Sequence, residues 1–186
     1  QKVITLSLGE AYFNLPRIDF SSYSPDKIVH YTSSRGSVGF REKIANMYKD
    51  LYYSDINPEE EIIVTAGSKI AVYMSMLALT EPKDAIGIIE PAWLSYSEQA
   101  IISDRSPVNI AHDKNLDEIC EAIKSENIKC IILNNPNNPG GFVYSKDFIL
   151  NLIKYAEKHE CYVVFDEAYS DFVLDDSFYS GARVFK

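Results

Sequence analysis

The chain has 186 residues, of which 46% are hydrophobic, enough to build one well-buried soluble domain. Its formal net charge of −9 would repel nucleic acid and anionic membrane surfaces, so we expect neither as a partner. No apolar run approaches the ~18 residues of a transmembrane helix and no signal-peptide pattern is present, so we expect no membrane span and no export.

The first thirty residues lack the periodicity of a core element. They include Pro16, Pro25 and several serines, and only Val3–Leu6 resemble a short strand. Such composition is typical of loops. We therefore predict an N-terminal arm over residues 1–30.

Helical and strand-like patterns begin after this arm. Apolar side chains recur at helical spacing over residues 39–53, which predicts an amphipathic helix. Its apolar positions are Phe40, Ile44, Met47, Tyr48 and Leu51. The β-branched run Ile62–Val64 predicts a short strand, followed by a tight turn at 65–68. A second helix is predicted after this turn, with Ile70, Met74 and Leu77 in its apolar period.

Strands and helices then alternate along the rest of the chain. Strands are predicted at 85–89, 107–111, 129–133 and 161–165, and helices at 93–102, 116–123 and 148–156. Asn115 and Ser145 are the predicted N-caps of the last two helices, and Glu118 completes a capping box. This alternation predicts an α/β fold with three α/β/α layers around a mostly parallel sheet.

The three cysteines, Cys120, Cys130 and Cys161, lie in apolar contexts without the spacing of metal ligands. Buried, reduced thiols are the expected state of such residues. We therefore predict no metal site and a reducing, cytoplasmic location.

Polar residues follow several predicted strands, at the sheet edge where parallel sheets bind ligands. Gly67-Ser68-Lys69 opens a helix, where backbone N–H groups, a hydroxyl and an ammonium could together bind a phosphate. A helix cap with a solvated lysine explains the same residues without a ligand. This motif alone leaves both interpretations open.

Three further clusters share that edge. Trp93, the only tryptophan, could be a core residue or could stack on a flat ligand. Asn138-Pro139-Gly140-Gly141 could be a plain turn, or a fixed backbone with a cis peptide that directs an amide side chain. Asp166 and Tyr169 could be solvated residues at a strand end, or a carboxylate and a phenol that contact a ligand.

In this order, the motifs resemble those of the class I/II aminotransferases, the fold-type I family that uses pyridoxal 5′-phosphate. The resemblance covers about Leu6 to about Val184. The shared motifs are Tyr31 with Gly36 and Arg41, Thr65–Lys69 with Ala71, Glu90–Trp93 with Tyr96, Asn135–Gly141, and Phe165–Tyr169. The family implies transfer of an amino group between an amino acid and a 2-oxo acid.

The resemblance also implies roles for individual residues. Asp166 would keep the pyridine nitrogen of the cofactor protonated, and Asn138 and Tyr169 would hydrogen-bond its 3′-oxygen. Trp93 would stack on the ring. The phosphate would be bound by Gly67, Ser68 and Lys69, with Tyr31 reaching the phosphate in a neighbouring subunit, which implies a homodimer.

The chain departs from the family pattern in two ways. Gly140 stands where the family usually has threonine, a change we expect to be tolerated because Asn138 is retained. The lysine that binds the cofactor covalently has no counterpart before the last residue, Lys186, to which we do not assign that role. Residues 31–186 are therefore expected to form an incomplete large domain, without its C-terminal part or the small domain, and to be inactive alone.

Two other classes of function are compatible with parts of the sequence. Val163–Glu167 resembles the acidic strand of P-loop nucleoside triphosphatases, but the phosphate-binding G-x-x-x-x-G-K-[ST] motif is missing. A non-catalytic module that keeps the fold is the second alternative. The sequence does not specify the amino donor, and a decarboxylase or lyase on the same scaffold stays open.

Overall fold

A computed structural model describes residues 30–111 and 115–184, together with residues 14, 16, 17, 19–21, 24 and 26. The chain divides into two compact units, Gln1–Thr32 and Ser33–Lys186. The predicted strand Val3–Leu6 lies outside the described residues. The elements named below all belong to the second unit.

The second unit alternates helices and strands from Ala85 onward, which confirms the predicted pattern. Its elements are α1 (Val38–Tyr52), α2 (Ser68–Leu79), β1 (Ala85–Glu90), α3 (Ser95–Ile102), β2 (Ser106–Ala111), α4 (Leu116–Ser125), β3 (Ile128–Asn134), α5 (Lys146–Lys158) and β4 (Tyr162–Asp166). Two short 3₁₀ turns follow, at Ser170–Phe172 and Gly181–Val184.

The four strands form one parallel sheet in the order β2-β1-β3-β4. The predicted α/β fold is therefore confirmed. Asn134, the last residue of β3, lies in register with Asp166, the last residue of β4. The two polar loops that follow these strands consequently start side by side.

Two apolar cores cover the two faces of the sheet. On one face α4 and α5 pack against residues such as Ile131 and Leu133, and on the other α2 and α3 pack against Ile86 and Ile132. Neighbouring residues of β3 thus belong to opposite cores, as the two-residue period of a strand requires. Each fully buried aliphatic side chain contributes about 1.5–3 kcal/mol to the hydrophobic driving force.

The predicted helix caps are confirmed. The side chain of Asn115 accepts a hydrogen bond from the N–H of Glu118 at 3.0 Å, and the carboxylate of Glu118 accepts from the N–H of Asn115 at 3.0 Å. Ser145 accepts from the N–H of Phe148 at 3.2 Å at the start of α5. These bonds satisfy N–H groups that have no partner inside the helix.

The strand predicted at Ile62–Val64 is wrong. In the described part of the chain this segment pairs with no strand; the N–H of Val64 donates to the carbonyl of Arg35 at 2.9 Å. Ile63 is 61% exposed. A β-branched run favours a strand only where a neighbouring strand can pair with it, since β propensity depends strongly on context.

Both early helices are confirmed, but their predicted apolar faces are not the buried ones. On α1 the buried residue is Arg41, whose guanidinium donates to the carbonyl of Pro58 at 2.9 Å and contacts the Glu59 carboxylate at 3.1 Å. Apolar residues of α1 and α2 are instead about 40–50% exposed. They are Phe40, Met47, Leu51, Ile70, Met74 and Leu77.

Candidate active site

A small cavity lies at the carboxyl edge of the sheet, where β3, β4 and the loop after β1 meet the start of α2. Its volume is about 130 Å³. Five of the predicted site residues line it, namely Ser68, Trp93, Asn138, Asp166 and Tyr169, together with Tyr96, Asn134 and Ala168. Gly67 and Lys69 flank Ser68 in the chain. Tyr31 belongs to the first unit, and its side chain is exposed.

The carboxylate of Asp166 is held by two donors. The hydroxyl of Tyr96 donates to Oδ2 at 2.6 Å, and the N–H of Ala168 donates to Oδ1 at 3.2 Å. Asp166 is only 8% exposed. A buried carboxylate with hydrogen bonds on both oxygens is restrained in orientation, because rotation would break both bonds.

Tyr96 is suited to be the permanent donor of this pair. Burial raises its pKa far above the ordinary tyrosine value, and the hydrogen bond to Asp166 and the charge of that carboxylate raise it further. The phenol therefore keeps its proton throughout the physiological pH range. The Trp93 and Tyr96 rings also pack edge to face, with centroids 5.4 Å apart.

The other polar groups of the site form a second set. The amide nitrogen of Asn138 donates to the hydroxyl of Tyr169 at 3.5 Å, a long bond that leaves both groups free to bind elsewhere. The ammonium of Lys69 lies 5.0 Å from the centre of the Trp93 ring. This cation–π contact brings positive charge to the helix end that the sequence predicts as a phosphate site.

Gly67 allows the chain to enter α2 at this edge. Its φ of +91° is a conformation that residues with a side chain rarely adopt, and a Cβ built there would meet no atom within 4 Å. As the N-cap, Gly67 offers no side-chain acceptor to the first-turn N–H groups of α2. Open space therefore lies next to donors that can bind an anion.

Three residues near the site were given no role from the sequence. Tyr96 and Asn134 contact Asp166, and Gln99 donates from its amide nitrogen to the carbonyl of Lys69 at 2.9 Å. All three side chains are buried. The sequence signal that could have found them is a polar residue at a helix or strand position whose neighbours are apolar, because buried polar groups need partners.

Two larger cavities share lining residues with the small one. It shares Ser68, Asp166 and Ala168 with a cavity of about 310 Å³ between α1, α2 and β4. It shares Asn138 and Tyr169 with an open cavity of about 710 Å³, lined partly by Phe142 and Phe172.

Comparisons with known proteins agree with this picture. A family model described as aminotransferase class I and II matches residues 11–185. The chain is 32% identical over 189 residues to an aspartate aminotransferase of Thermotoga maritima, covering 97% of this chain and 50% of that protein. It is 33% identical to a (5-formylfuran-3-yl)methyl phosphate transaminase of Methanocaldococcus jannaschii, with 97% and 47% covered.

A solved structure shows the same architecture. The crystal structure of the Thermotoga maritima aspartate aminotransferase superposes with a TM-score of 0.78 at 32% identity, covering 83% of this chain and 42% of that one. The chain spans about half the length of the curated relatives it matches.

Proposed function

The chain belongs to the class I and II aminotransferase family, and on that premise we propose that it carries the pyridoxal 5′-phosphate site of an enzyme that moves an amino group between an amino acid and a 2-oxo acid. One observation carries this proposal. Five residues that the sequence predicts for the cofactor line a single cavity, although they come from four separate segments.

The chemical character of the site fits the cofactor. A flat, phosphorylated pyridine needs an anion site, an aromatic or apolar surface and a carboxylate. The open space beside Gly67 and the uncapped first turn of α2 supply the first, Trp93 the second and Asp166 the third. When bound, the cofactor withdraws electrons from the α-carbon of the amino acid.

The residues of this chain would hold and tune that group. Asp166, restrained by Tyr96 and Ala168, would keep a proton on the pyridine nitrogen. Asn138 and Tyr169 would donate to the 3′-oxygen, and the indole of Trp93 would cover the ring. Gly67, Ser68 and Lys69 would bind the phosphate.

The proposal extends to domains and assembly. Residues 1–30 would form an arm and residues 31–186 part of the large domain, while a lysine and a small domain outside these 186 residues would complete turnover. We therefore expect the chain alone to be inactive. Support for a homodimer, with Tyr31 reaching the partner's phosphate, comes from the exposed apolar residues of α1 and α2, such as Phe40 and Met74.

We also place the protein in the cytoplasm. The support is chemical: Cys120, Cys130 and Cys161 are all free and buried. Among the described residues, none of the helices has both the length and the apolar character needed to cross a bilayer.

Binding can be tested without turnover. Pyridoxamine 5′-phosphate lacks an aldehyde and cannot bond covalently to surface lysines. Titrating it into the chain should quench the fluorescence of Trp93, because this sole tryptophan lines the site. Asp166→Asn should weaken binding about 10- to 100-fold, as expected for loss of a charged partner.

The matched control is Asp176→Asn, which removes the same charge from an exposed position. It should bind like the wild type. Equal affinity of all three proteins would refute the role of Asp166, and absence of quenching in the wild type would refute the cofactor site. A non-catalytic module is distinguished by binding without turnover in a longer polypeptide that contains the lysine.

A further inference from the structure

Asn134 ends β3 and connects the loop that follows β3 to the end of β4, and both of these segments line the site. Its Oδ1 accepts a hydrogen bond from the backbone N–H of Asn138 at 2.6 Å. Its Nδ2 donates to the backbone carbonyl of Asp166 at 3.0 Å. A single carboxamide, 6% exposed, therefore bonds to the backbone of two residues that are both proposed to contact the cofactor ring.

Neighbouring asparagines strengthen the same connection. The N–H of Asn135 also donates to the carbonyl of Asp166 at 3.0 Å. Asn137 donates from Nδ2 to the carbonyl of Pro91 at 3.1 Å and accepts from the N–H of Gly140 at 2.8 Å. Pro91 precedes Trp93 by two residues. The loop after β3 therefore contacts both the end of β4, at Asp166, and the loop after β1 that carries Trp93.

We propose that Asn134 is a positioning residue, which fixes the amide of Asn138 and the carboxylate of Asp166 relative to each other. The inference rests on the proposed function for what the site binds. The positioning itself follows from the two hydrogen bonds. Asn134 lines the cavity but acts through its two backbone partners.

The chemistry of the side chain explains why asparagine is required. A carboxamide presents one acceptor and one donor on a short, planar group, whereas aspartate lacks the donor and leucine lacks both. With leucine, the N–H of the half-buried Asn138 would lose its side-chain acceptor. A polar group that is shielded from water and left without a partner is costly, so the loop would move to find another partner.

Asn135 provides a matched control. It is fully buried, at 0% exposure, and also makes two side-chain hydrogen bonds. Its Nδ2 donates to the carbonyl of Tyr179 at 3.3 Å, and its Oδ1 accepts from the N–H of Tyr144 at 3.0 Å. Neither tyrosine lines the small cavity. Asn135→Leu therefore removes the same number of side-chain bonds, and it keeps the backbone bond from the N–H of residue 135 to Asp166, so the links between the site loops are retained.

The experiment compares the full 186-residue chain with Asn134→Leu and Asn135→Leu. Amide hydrogen exchange at Asn138, followed by NMR, reports the loop directly, and quenching of Trp93 by pyridoxamine 5′-phosphate reports the assembled site. Asn134→Leu should speed exchange at Asn138 about tenfold and weaken binding about tenfold. Asn135→Leu should change both quantities less than about threefold. Equal effects of the two variants, or unchanged exchange in Asn134→Leu, would overturn the proposal.

A second variant covers the case in which Asn134→Leu does not fold. Asn134→Asp keeps the acceptor for the N–H of Asn138 and loses the donor to Asp166. Protection of the Asn138 amide should then persist; its loss would contradict the proposed bond. If the wild-type chain does not bind pyridoxamine 5′-phosphate, the proposed function fails, while the exchange measurement still decides whether Asn134 positions the loop.

Discussion

The hydroxyl of Tyr96 donates a 2.6 Å hydrogen bond to Oδ2 of Asp166, which joins α3 on one face of the sheet to the last residue of β4. Both residues are buried. Tyr96→Phe should therefore lower the free energy of unfolding by about 1.5–3 kcal/mol, the range for a hydrogen bond to a charged group. Urea unfolding of both proteins measures this loss.

Tyr144→Phe is the comparison for that substitution. The hydroxyl of Tyr144 is buried and has no hydrogen-bond partner among the described residues, and burial raises its pKa to about 12. Removing this hydroxyl should leave stability within about 0.5 kcal/mol or raise it, since no bond is lost. A loss as large as that of Tyr96→Phe would contradict the assigned bond.

Gly140 is the position where the family usually has threonine. A Cβ at this residue would lie 2.6 Å from Oδ1 of Asn137 and would also collide with the ring of Phe142. Asn137 is fixed by its bond to Pro91, so it cannot easily move away. Gly140→Thr should destabilise the chain by about 1–3 kcal/mol, as overpacking does, measured by thermal or urea unfolding.

The destabilisation caused by Gly140→Thr should depend on the ring of Phe142. In the Phe142→Leu background the ring is gone, so Gly140→Thr should cost less than in the wild type, by more than about 0.5 kcal/mol. If the effects of the two substitutions on the free energy of unfolding simply add, the ring of Phe142 is not what restricts the space for a side chain at residue 140. Gly39→Ala is the glycine control: this residue is the second of α1 and has open space around it, so the substitution should not destabilise the chain and should stabilise it by at most about 0.5–1 kcal/mol.

The raised pKa of Glu167 should make the free energy of unfolding depend on pH in the acid range. Burial raises its pKa, although hydrogen bonds from Gly181 and Ser180 partly oppose the shift. The folded chain thus holds this proton more tightly than the unfolded chain. The penalty for ionising Glu167 is absent below the unfolded pKa of about 4.3 and becomes complete above the folded value.

Glu167→Gln removes this penalty while keeping groups that can bond to Ser180 and Gly181. Relative to the variant, the wild type should lose stability as pH rises above about 4.3. Unfolding curves at several pH values between 4 and 7 test this difference. Glu81→Gln, at an exposed position, should parallel the wild type; a parallel Glu167→Gln profile would argue against the buried charge.

Because Cys130 and Cys161 are buried, the free energy of unfolding should fall at alkaline pH. Burial raises the pKa of Cys130 to about 12 and that of Cys161 to about 11. Unfolded thiols ionise near pH 8.5, so between that pH and the folded values the unfolded chain binds fewer protons and stability falls. The slope should reach up to roughly 1.4 kcal/mol per pH unit for each thiol. Replacing both cysteines by alanine should make the slope of stability against pH shallower. Denaturant unfolding between pH 8 and 10 measures this slope.

The sequence was sufficient for the sheet and for expecting the candidate site residues at one edge of it, because both follow from local patterns. Buried runs such as Ile128–Asn134 need little more than their β-branched residues to be recognised, and parallel strands necessarily bring their carboxyl ends to one edge. The positions of Asn138 and Asp166, each just after or at the end of a predicted strand, therefore suffice to predict that they share an edge.

The remaining features depend on long-range contacts. Periodicity identifies the apolar stripe of α1 but cannot say which element packs on it, and Arg41 is buried instead. Ile62–Val64 has the composition of a strand without a partner in the described sheet. The link from Tyr96 to Asp166 spans 70 positions, a separation at which no local pattern carries information.

The strand that carries Asp166 lies at one edge of the sheet that the described residues form. Within the described residues, β4 is paired with β3 alone, through five residue positions from Tyr162 to Asp166. If the hydrogen bonds between β3 and β4 opened transiently, Asp166 would separate from Asn134. The residues that line the small cavity would then no longer be held together. A further strand or ligand that binds the other edge of β4 would therefore keep Asp166 beside Asn134 for longer. It would do so without contacting any atom proposed to bind the cofactor.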